Sequence, residues 1–267
     1  MFLTKKHVKM KLKIFAVLFF PAFLFTSVAA VRPTTDTGDP DPKEIIRKST
    51  ENQIGKTSQG EMKMTIVRPT WKREITMKSW SLGEEYALIL VTGPARDKGT
   101  AFLKREKEMW NWQPTIDRVV KLPPSMMAQS LMGSDFTNND LVDQASVIED
   151  YSHKYLGIET IDGRECYKIE MTPDDDAAVV WGKVLSWVDK KDFIQIKAEF
   201  YDEEDYLINT MKASDIQMIG GKLLPKILTI TPAEEPENQT IVEYMSINFD
   251  KPIKEKFFSV QNMKRIR

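Results

Sequence analysis

Apolar and polar residues alternate at a period of two over most of this sequence, the pattern typical of antiparallel β-strands. In an early run, Met62, Met64 and Ile66 alternate with charged or polar residues and Pro69 ends the run. Short turn sequences such as Asp162-Gly163 separate the later runs, and strands joined so closely must be antiparallel neighbours. Roughly ten or more such strands predict a mainly β protein built on one curved antiparallel sheet, because a sheet that wide tends to curl.

One mid-chain segment interrupts the strands. Residues 125–132 follow two prolines, are rich in methionine and precede Gly133, which predicts a short helix. A second short helix should begin at Thr137 or Asn138. Helices inserted within a sheet must lie over one of its faces or ends, so the segment is expected to cover the sheet. The apolar side chains of this predicted cover are Met126, Met127, Leu131 and Met132.

The first 30 residues have the pattern of a cleaved secretory signal peptide. Five lysines precede an apolar run at residues 14–25, and small residues follow at 27–30. That run is shorter than the ~20 residues that span a bilayer, although an uncleaved anchor is the alternative. We expect a signal peptide at 1–30, a Pro-rich linker at 31–42 and one domain at 43–267 that begins with a helix capped by Asp41. No cysteine lies near the cleavage site, so an exported protein without a lipid anchor is predicted.

The composition offers little for catalysis, metal binding or nucleic-acid binding. The chain has 38 Lys+Arg and 39 Asp+Glu, so it lacks the basic excess that phosphate backbones require. Without the signal peptide, His153 is the single histidine, and Cys166 is the single cysteine of the chain. There is no G-x-S-x-G elbow and no glycine-rich phosphate loop. We expect no enzyme, no cofactor and no metal, with an unseen pair of carboxylates as the remaining alternative.

Large apolar side chains are abundant instead, and several strands are apolar on both faces. Such strands need cover on both sides, and two interpretations are open: an ordinary filled core, or an apolar cavity beneath the Met-rich segment. Methionine side chains adapt their shape and recur on surfaces that accept varied apolar ligands, which is the argument for the cavity. In addition to the residues named above, we assign to the cavity Leu88, Trp110, Trp112, Trp181, Leu185 and Trp187.

Three short motifs and the mid-chain segment are similar to those of one known family. The motifs are Val67-Arg68-Pro69 followed by Trp71, the aromatic strand at 109–114, and the Phe-containing segment at 257–260. With them the chain resembles the outer-membrane lipoprotein-sorting proteins, the LolA-like periplasmic carriers. Residues 122–141 are similar to one LolA-like branch.

The resemblance implies an open, unclosed β-barrel with lid helices over an apolar cavity for acyl chains. It further implies a monomeric carrier of lipoprotein or lipid toward the outer membrane, between an inner-membrane exporter and an outer-membrane acceptor. The family's lid-holding arginine matches Arg68, which would bond lid carbonyls or Asp135; a solvent-facing strand end is the alternative for Arg68. The alternative function is a ligand-sensing regulatory module of the same fold that acts on a membrane-protein partner.

Overall fold

The computed structural model of the protein describes residues 38–142, 146–175, 177 and 179–267. The chain divides into two units, Met1–Gly38 and Asp39–Arg267, and the fold below is that of the second unit. The predicted signal peptide, and the predicted linker up to residue 37, lie outside the described residues. Their assignment therefore stays a prediction.

A single antiparallel sheet forms the body of the protein, which confirms the predicted fold class. Its strands are β1 (Thr57–Arg68), β2 (Trp71–Leu82), β3 (Tyr86–Gly93), β4 (Ala101–Arg105), β5 (Glu108–Gln113), β6 (Arg118–Lys121), β7 (Tyr151–Ile161), β8 (Arg164–Pro173), β9 (Lys183–Asp189), β10 (Gln195–Tyr201), β11 (Leu207–Ile219), β12 (Lys222–Pro232) and β13 (Gln239–Phe249). The α-helices within the described residues are α1 (Pro42–Ile54), α2 (Asn138–Val142), α3 (Ser146–Glu149) and α4 (Val260–Met263).

The strand order shows why the sheet stays open. Across the sheet the order is β6-β5-β4-β3-β2-β1-β13-β12-β11-β10-β9-β8-β7. Two meanders are thus joined at the middle by β1 and β13, where Met64 lies opposite Val242. The edge strands β6 and β7 are consecutive in the chain but lie at opposite edges. The connection between them, residues 122–150, therefore has to cross the sheet from edge to edge.

The two faces of the sheet carry separate apolar clusters. Leu131 of the crossing segment is buried with Val91 of β3, and we call the face on which they pack the inner face. Leu90 directly precedes Val91 in β3, and it belongs to a different cluster, which includes Phe258 of the C-terminal segment. We call that opposite side the outer face. Because successive strand residues point to opposite faces, both faces of β3 are apolar and both are covered.

The N-terminal helix covers the inner face over the second meander. Asp41 caps α1 by accepting a hydrogen bond from the Lys43 backbone N–H at 3.0 Å, and Pro42 occupies the first turn, as predicted. Ile45 and Ile46 are buried against Ile148 of α3 and against strands β7 to β9. The inner face is thus covered by α1 and by the crossing segment together.

The first half of the crossing segment is not the helix that the sequence predicts. Residues 124–126 form one 3₁₀ turn, after which Met132 and Gly133 take positive φ values of 55° and 81°. The chain folds back at these two residues, so carbonyl groups that a helix would use internally accept from the residues that follow instead. Asn138 and Asn139 donate their backbone N–H groups to Gln129 O and Met127 O, both at 2.9 Å.

The second predicted helix is present as α2. Thr137 is its cap, because Thr137 Oγ1 accepts from the Asp140 backbone N–H at 3.2 Å while Asp140 Oδ2 accepts from the Thr137 N–H at 2.6 Å. This reciprocal pair is a capping box. We call residues 122–142 the lid: a folded-back loop followed by one capped turn of helix.

Candidate functional site: an apolar cavity under the lid

A cavity of about 360 Å³ lies between the inner face and the elements that cover it. Its volume is within the ~300–1,000 Å³ range of ligand pockets in proteins. Of the two interpretations that the sequence left open, the structure shows the cavity rather than a completely filled core. The apolar part of its wall includes Met64, Met77, Ile89, Phe102, Met211 and Leu228.

The lid and α1 close the side of the cavity that lies opposite the sheet. The lid contributes Leu131, Met132 and Phe136, and α1 contributes Ile46 and Ile54. Each contributes apolar side chains, so a ligand in the cavity would contact hydrocarbon from the sheet on one side and from these elements on the other.

The cavity is polar at one end. Ser58 of β1 and Ser81 of β2 lie opposite each other there, with their hydroxyl oxygens 2.7 Å apart, and both line the cavity. Glu84, in the turn that follows β2, also lines this end, where burial raises the pKa of its carboxyl group. The Arg68–Trp71 end of the same hairpin is where the lid is attached. The cavity thus has a polar end and a lid end.

Tyr244 provides a polar group further along the wall. It lies opposite Met62 in the β1–β13 pairing and lines the cavity. Burial raises the pKa of its phenol, so the hydroxyl stays neutral over the physiological pH range and can donate a hydrogen bond.

Arg68 connects the end of β1 to the lid. Its Nη2 donates to Asp135 Oδ1 at 2.8 Å and its Nη1 donates to Asp135 Oδ2 at 3.2 Å. Nη2 also donates to the Gly133 carbonyl at 3.3 Å. The two side chains are only 15% and 9% exposed, and the paired N–H···O geometry is the strong, directional form of an arginine–carboxylate contact. The contacts expected of Arg68 are present; that they hold the lid closed is a proposal.

Asp135 also bonds to the second meander. Thr240 of β13 donates its hydroxyl to Asp135 Oδ2 at 2.6 Å and accepts from the Asp135 backbone N–H at 3.0 Å. Asn209 Nδ2 of β11 donates to the Asp135 carbonyl at 3.5 Å. One lid residue is therefore bonded to three strands, on both sides of the β1–β13 junction.

A second arginine, missed by the sequence analysis, reaches the lid from β2. Arg73 Nη1 donates to the Met132 carbonyl at 3.2 Å. Its Nη2 donates at 2.6 Å to Oδ2 of Asp97, a residue of the connection between β3 and β4. Arg73 lies opposite Ile66 and shares its face. Pairing β1 with β2 around Pro69 would have placed Arg73 opposite Ile66 from the sequence alone. No sequence pattern marks Asp97 as the partner of Arg73.

The structure brings part of the predicted site together at the cavity. The predicted residues that line it are Met62, Met64, Leu131, Met132 and Trp181. Ile66 and Met127 pack in the inner-face cluster without lining the cavity. Met126 is half-buried in the lid, where its carbonyl accepts from Asn138 Nδ2 at 3.0 Å. Contact of any of these side chains with a ligand stays a prediction.

The remaining predicted cavity residues lie on the outer face, which corrects their assignment. Those under the C-terminal segment are Leu88, Trp110 and Trp112. Those packed around Cys166 are Leu185 and Trp187. Their neighbours Met109 and Val184 are the ones that face inward.

The cause of this error is physical. A period of two separates two faces of a strand, but it cannot say which face is inner when both are apolar. Residues 252–266 cover the outer face of β3 to β5, and this is why that face carries tryptophans.

The groups considered for catalysis or metal binding are held in structural contacts. His153 Nε2 lies 2.7 Å from the Val147 carbonyl oxygen, and burial lowers the pKa of its imidazole. Cys166 is fully buried, and burial raises the pKa of its thiol to about 11. In the part of the chain that the structure describes, no group of three or more His, Cys, Asp or Glu residues could hold a metal ion. Among the same residues, none of the helices is long and apolar enough to cross a bilayer.

An open antiparallel sheet with an apolar cavity under a lid defines the class of the lipoprotein-sorting, LolA-like folds, and comparison with known proteins agrees. Residues 83–265 match the model of a family described as an uncharacterized protein, and the chain belongs to that family. None of the curated proteins matches the sequence significantly.

Three solved structures share the fold. One, described as an outer membrane lipoprotein-sorting protein domain from Vibrio parahaemolyticus, has a TM-score of 0.76 and 23% identity over 84% of this chain and 98% of that one. A DUF1329 family protein from Desulfovibrio piger has a TM-score of 0.77 and 22% identity over 84% and 100%. A LolA superfamily protein from Nitrosomonas europaea has a TM-score of 0.72 and 24% identity over 84% and 99%. The resemblance predicted from the motifs is confirmed as a likeness of fold.

Proposed function

We propose that the protein is a non-enzymatic carrier that binds the acyl chains of a lipoprotein or lipid in its cavity and moves them toward the outer membrane. The observation that carries the proposal is the apolar cavity of about 360 Å³ closed by a lid whose tip is bonded to the strand ends by polar contacts. The shared fold with a lipoprotein-sorting protein domain supports it.

The energetics suit a carrier. Each buried CH₂ group contributes about 0.8 kcal/mol, so about eight methylene groups would gain roughly 6 kcal/mol before the cost of ordering the ligand. That is enough to hold a chain in transit while leaving release possible. The serine hydroxyls at the polar end would hydrogen-bond to the head group or ester of the ligand. Its acyl chain would then point toward Leu131 and Met132 at the lid.

Release requires the lid to separate from the sheet. The side chains that hold its tip are Arg68, Arg73, Asn209 and Thr240, and all of them contact residues 132–135. Movement of this short stretch would uncover the cavity without disturbing strand pairing.

The same proposal gives the setting. Removal of residues 1–30 would deliver a monomer to the periplasm, with 31–42 as a linker to the domain at 43–267. The carrier would receive its ligand from an inner-membrane exporter and pass it to an outer-membrane acceptor. It needs no cofactor, since binding and release change no covalent bond.

A cavity-filling substitution tests the proposal. Met211 of β11 lines the cavity, whereas Met218 of the same strand is 65% exposed, so the two methionines form a matched pair. We expect Met211→Trp to weaken binding of a fluorescent fatty acid at least tenfold, the equivalent of losing burial of about two methylene groups. Met218→Trp should bind as the wild type does. Equal affinity in the two folded variants, checked by circular dichroism, would exclude this cavity as the binding site.

A further inference from the structure

The C-terminal segment carries positive charge on an otherwise acidic protein. Residues 250–267 contain six Lys or Arg and two acidic residues, a formal charge of +4. Residues 31–267 as a whole contain 33 basic and 39 acidic residues, a formal charge of −6. A local charge opposite in sign to the whole creates a directed electrostatic field, which steers that side toward an anionic partner.

The exposed cations that have no ion-pair partner among the residues that the structure describes include Lys254, Lys256 and Arg265. Glu255, which separates the two lysines in the sequence, is paired instead with Arg105 of β4 at 3.1 Å. The intervening acid is therefore engaged elsewhere, and the three positive charges face solvent without compensation.

The same three side chains line one open groove of about 560 Å³ on the outer face. Its wall holds Trp80 and Phe257, whose ring centroids are 5.7 Å apart, and no acidic residue contributes to it. Cations around an aromatic wall suit the interfacial region of a membrane. There, aromatic rings lie at headgroup depth, and lysine and arginine are attracted to anionic lipids.

The groove lies directly behind the polar end of the cavity. Gln59 and Trp80 face each other across β1 and β2 and line the groove, while the next residues along the strands, Ser58 and Ser81, line the cavity. Successive strand residues point to opposite faces. One thickness of sheet therefore separates the groove from the polar end of the cavity.

We propose that this groove docks the protein on the anionic phospholipid surface of a membrane, with the polar end of the cavity beside the headgroups. The purpose of the contact, loading or unloading of an acyl chain, rests on the proposed function. The contact itself rests on charge and groove shape. A bilayer is favoured over an acidic protein because the groove combines cations with an aromatic wall near the polar end of a lipid-sized cavity.

Vesicle binding with charge-matched variants tests the proposal, using protein purified from the envelope of cells that export it. The test variant is K254Q/K256Q/R265Q. The control, K154Q/K191Q/K212Q, removes three exposed lysines that have no ion pair among the described residues and lie on the second meander. On phosphatidylglycerol-containing vesicles at low salt, we expect about fivefold weaker binding for each groove charge removed, on the order of a hundredfold in total. The control should stay within about threefold, and phosphatidylcholine vesicles should bind neither.

Several results would overturn the docking surface: equal losses in the two triple variants, equal binding to neutral vesicles, or no binding by the wild type. Displacement by millimolar inorganic phosphate at constant ionic strength would also overturn it, because it would identify a free-phosphate site. The fatty-acid probe separates this proposal from the carrier function. If Met211→Trp and wild type both fail to bind the probe yet bind vesicles, the docking surface stands and the carrier proposal does not.

Discussion

Replacing Phe258 with alanine is expected to lower the free energy of unfolding by about 3–5 kcal/mol, the cost of deleting a fully buried phenylalanine. Phe258 is 0% exposed and packs beside Tyr86 and Phe257, with ring centroids 5.8 Å and 5.3 Å away. It anchors the C-terminal segment on the outer face of β3 and β4. Chemical denaturation followed by circular dichroism measures the change.

The neighbouring phenylalanine supplies the control. Phe257 is only half-buried and lies at the edge of the same cluster, so Phe257→Ala should cost less than half as much. If the two substitutions reduce stability equally, or if Phe258→Ala is neutral, the C-terminal segment is not held by this side chain and the outer-face packing described here is wrong.

Replacing Asp135 with alanine is expected to lower the free energy of lid opening by about 3 kcal/mol. The substitution leaves the guanidinium of Arg68 without its carboxylate at a site where both side chains are largely buried. Amide hydrogen exchange measures the opening. The backbone N–H of residue 135 donates to Thr240 Oγ1 of β13 at 3.0 Å, across the boundary that opens, and should exchange more than a hundredfold faster.

An exposed ion pair provides the matched control. Glu108 pairs with Lys121 on the surface, where both side chains are about half exposed, and such pairs contribute little. Glu108→Ala should leave exchange in the lid unchanged. The Arg68→Ala/Asp135→Ala double mutant should lose less than the sum of the two single mutants, because both changes remove the Arg68–Asp135 contact. Additive losses, or protection equal to wild type in Asp135→Ala, would show that this contact does not hold the lid.

The strands were predictable from the sequence because alternation and turn chemistry act locally. Runs such as Met62-x-Met64-x-Ile66 have one simple reading, and hairpins such as Asp162-Gly163 determine their neighbours. The central pairing of β1 with β13 joins residues about 180 positions apart, such as Met64 and Val242. No local pattern encodes that contact, so the open sheet came from the family resemblance instead.

The site was only partly predictable, and its gaps have physical causes. Leu88 and Trp112 are as apolar as the cavity residues, and only the docking of Phe258 onto them reveals that they face outward. The first half of the lid was predicted as a helix because it follows two prolines, is rich in methionine and ends at Gly133, a pattern that a folded-back loop also satisfies. Arg68 was found through its family motif, whereas Arg73 and Thr240 are recognisable only once strand register and lid path are known.

Native mass spectrometry of the protein purified from the cell envelope is the most direct test of an acyl-chain carrier. We predict that wild type and Met218→Trp each carry a bound species that fragments to fatty acyl groups, and that Met211→Trp has the mass of the bare polypeptide. A wild-type protein that has only the bare mass, even after incubation with envelope lipids, would contradict the central claim.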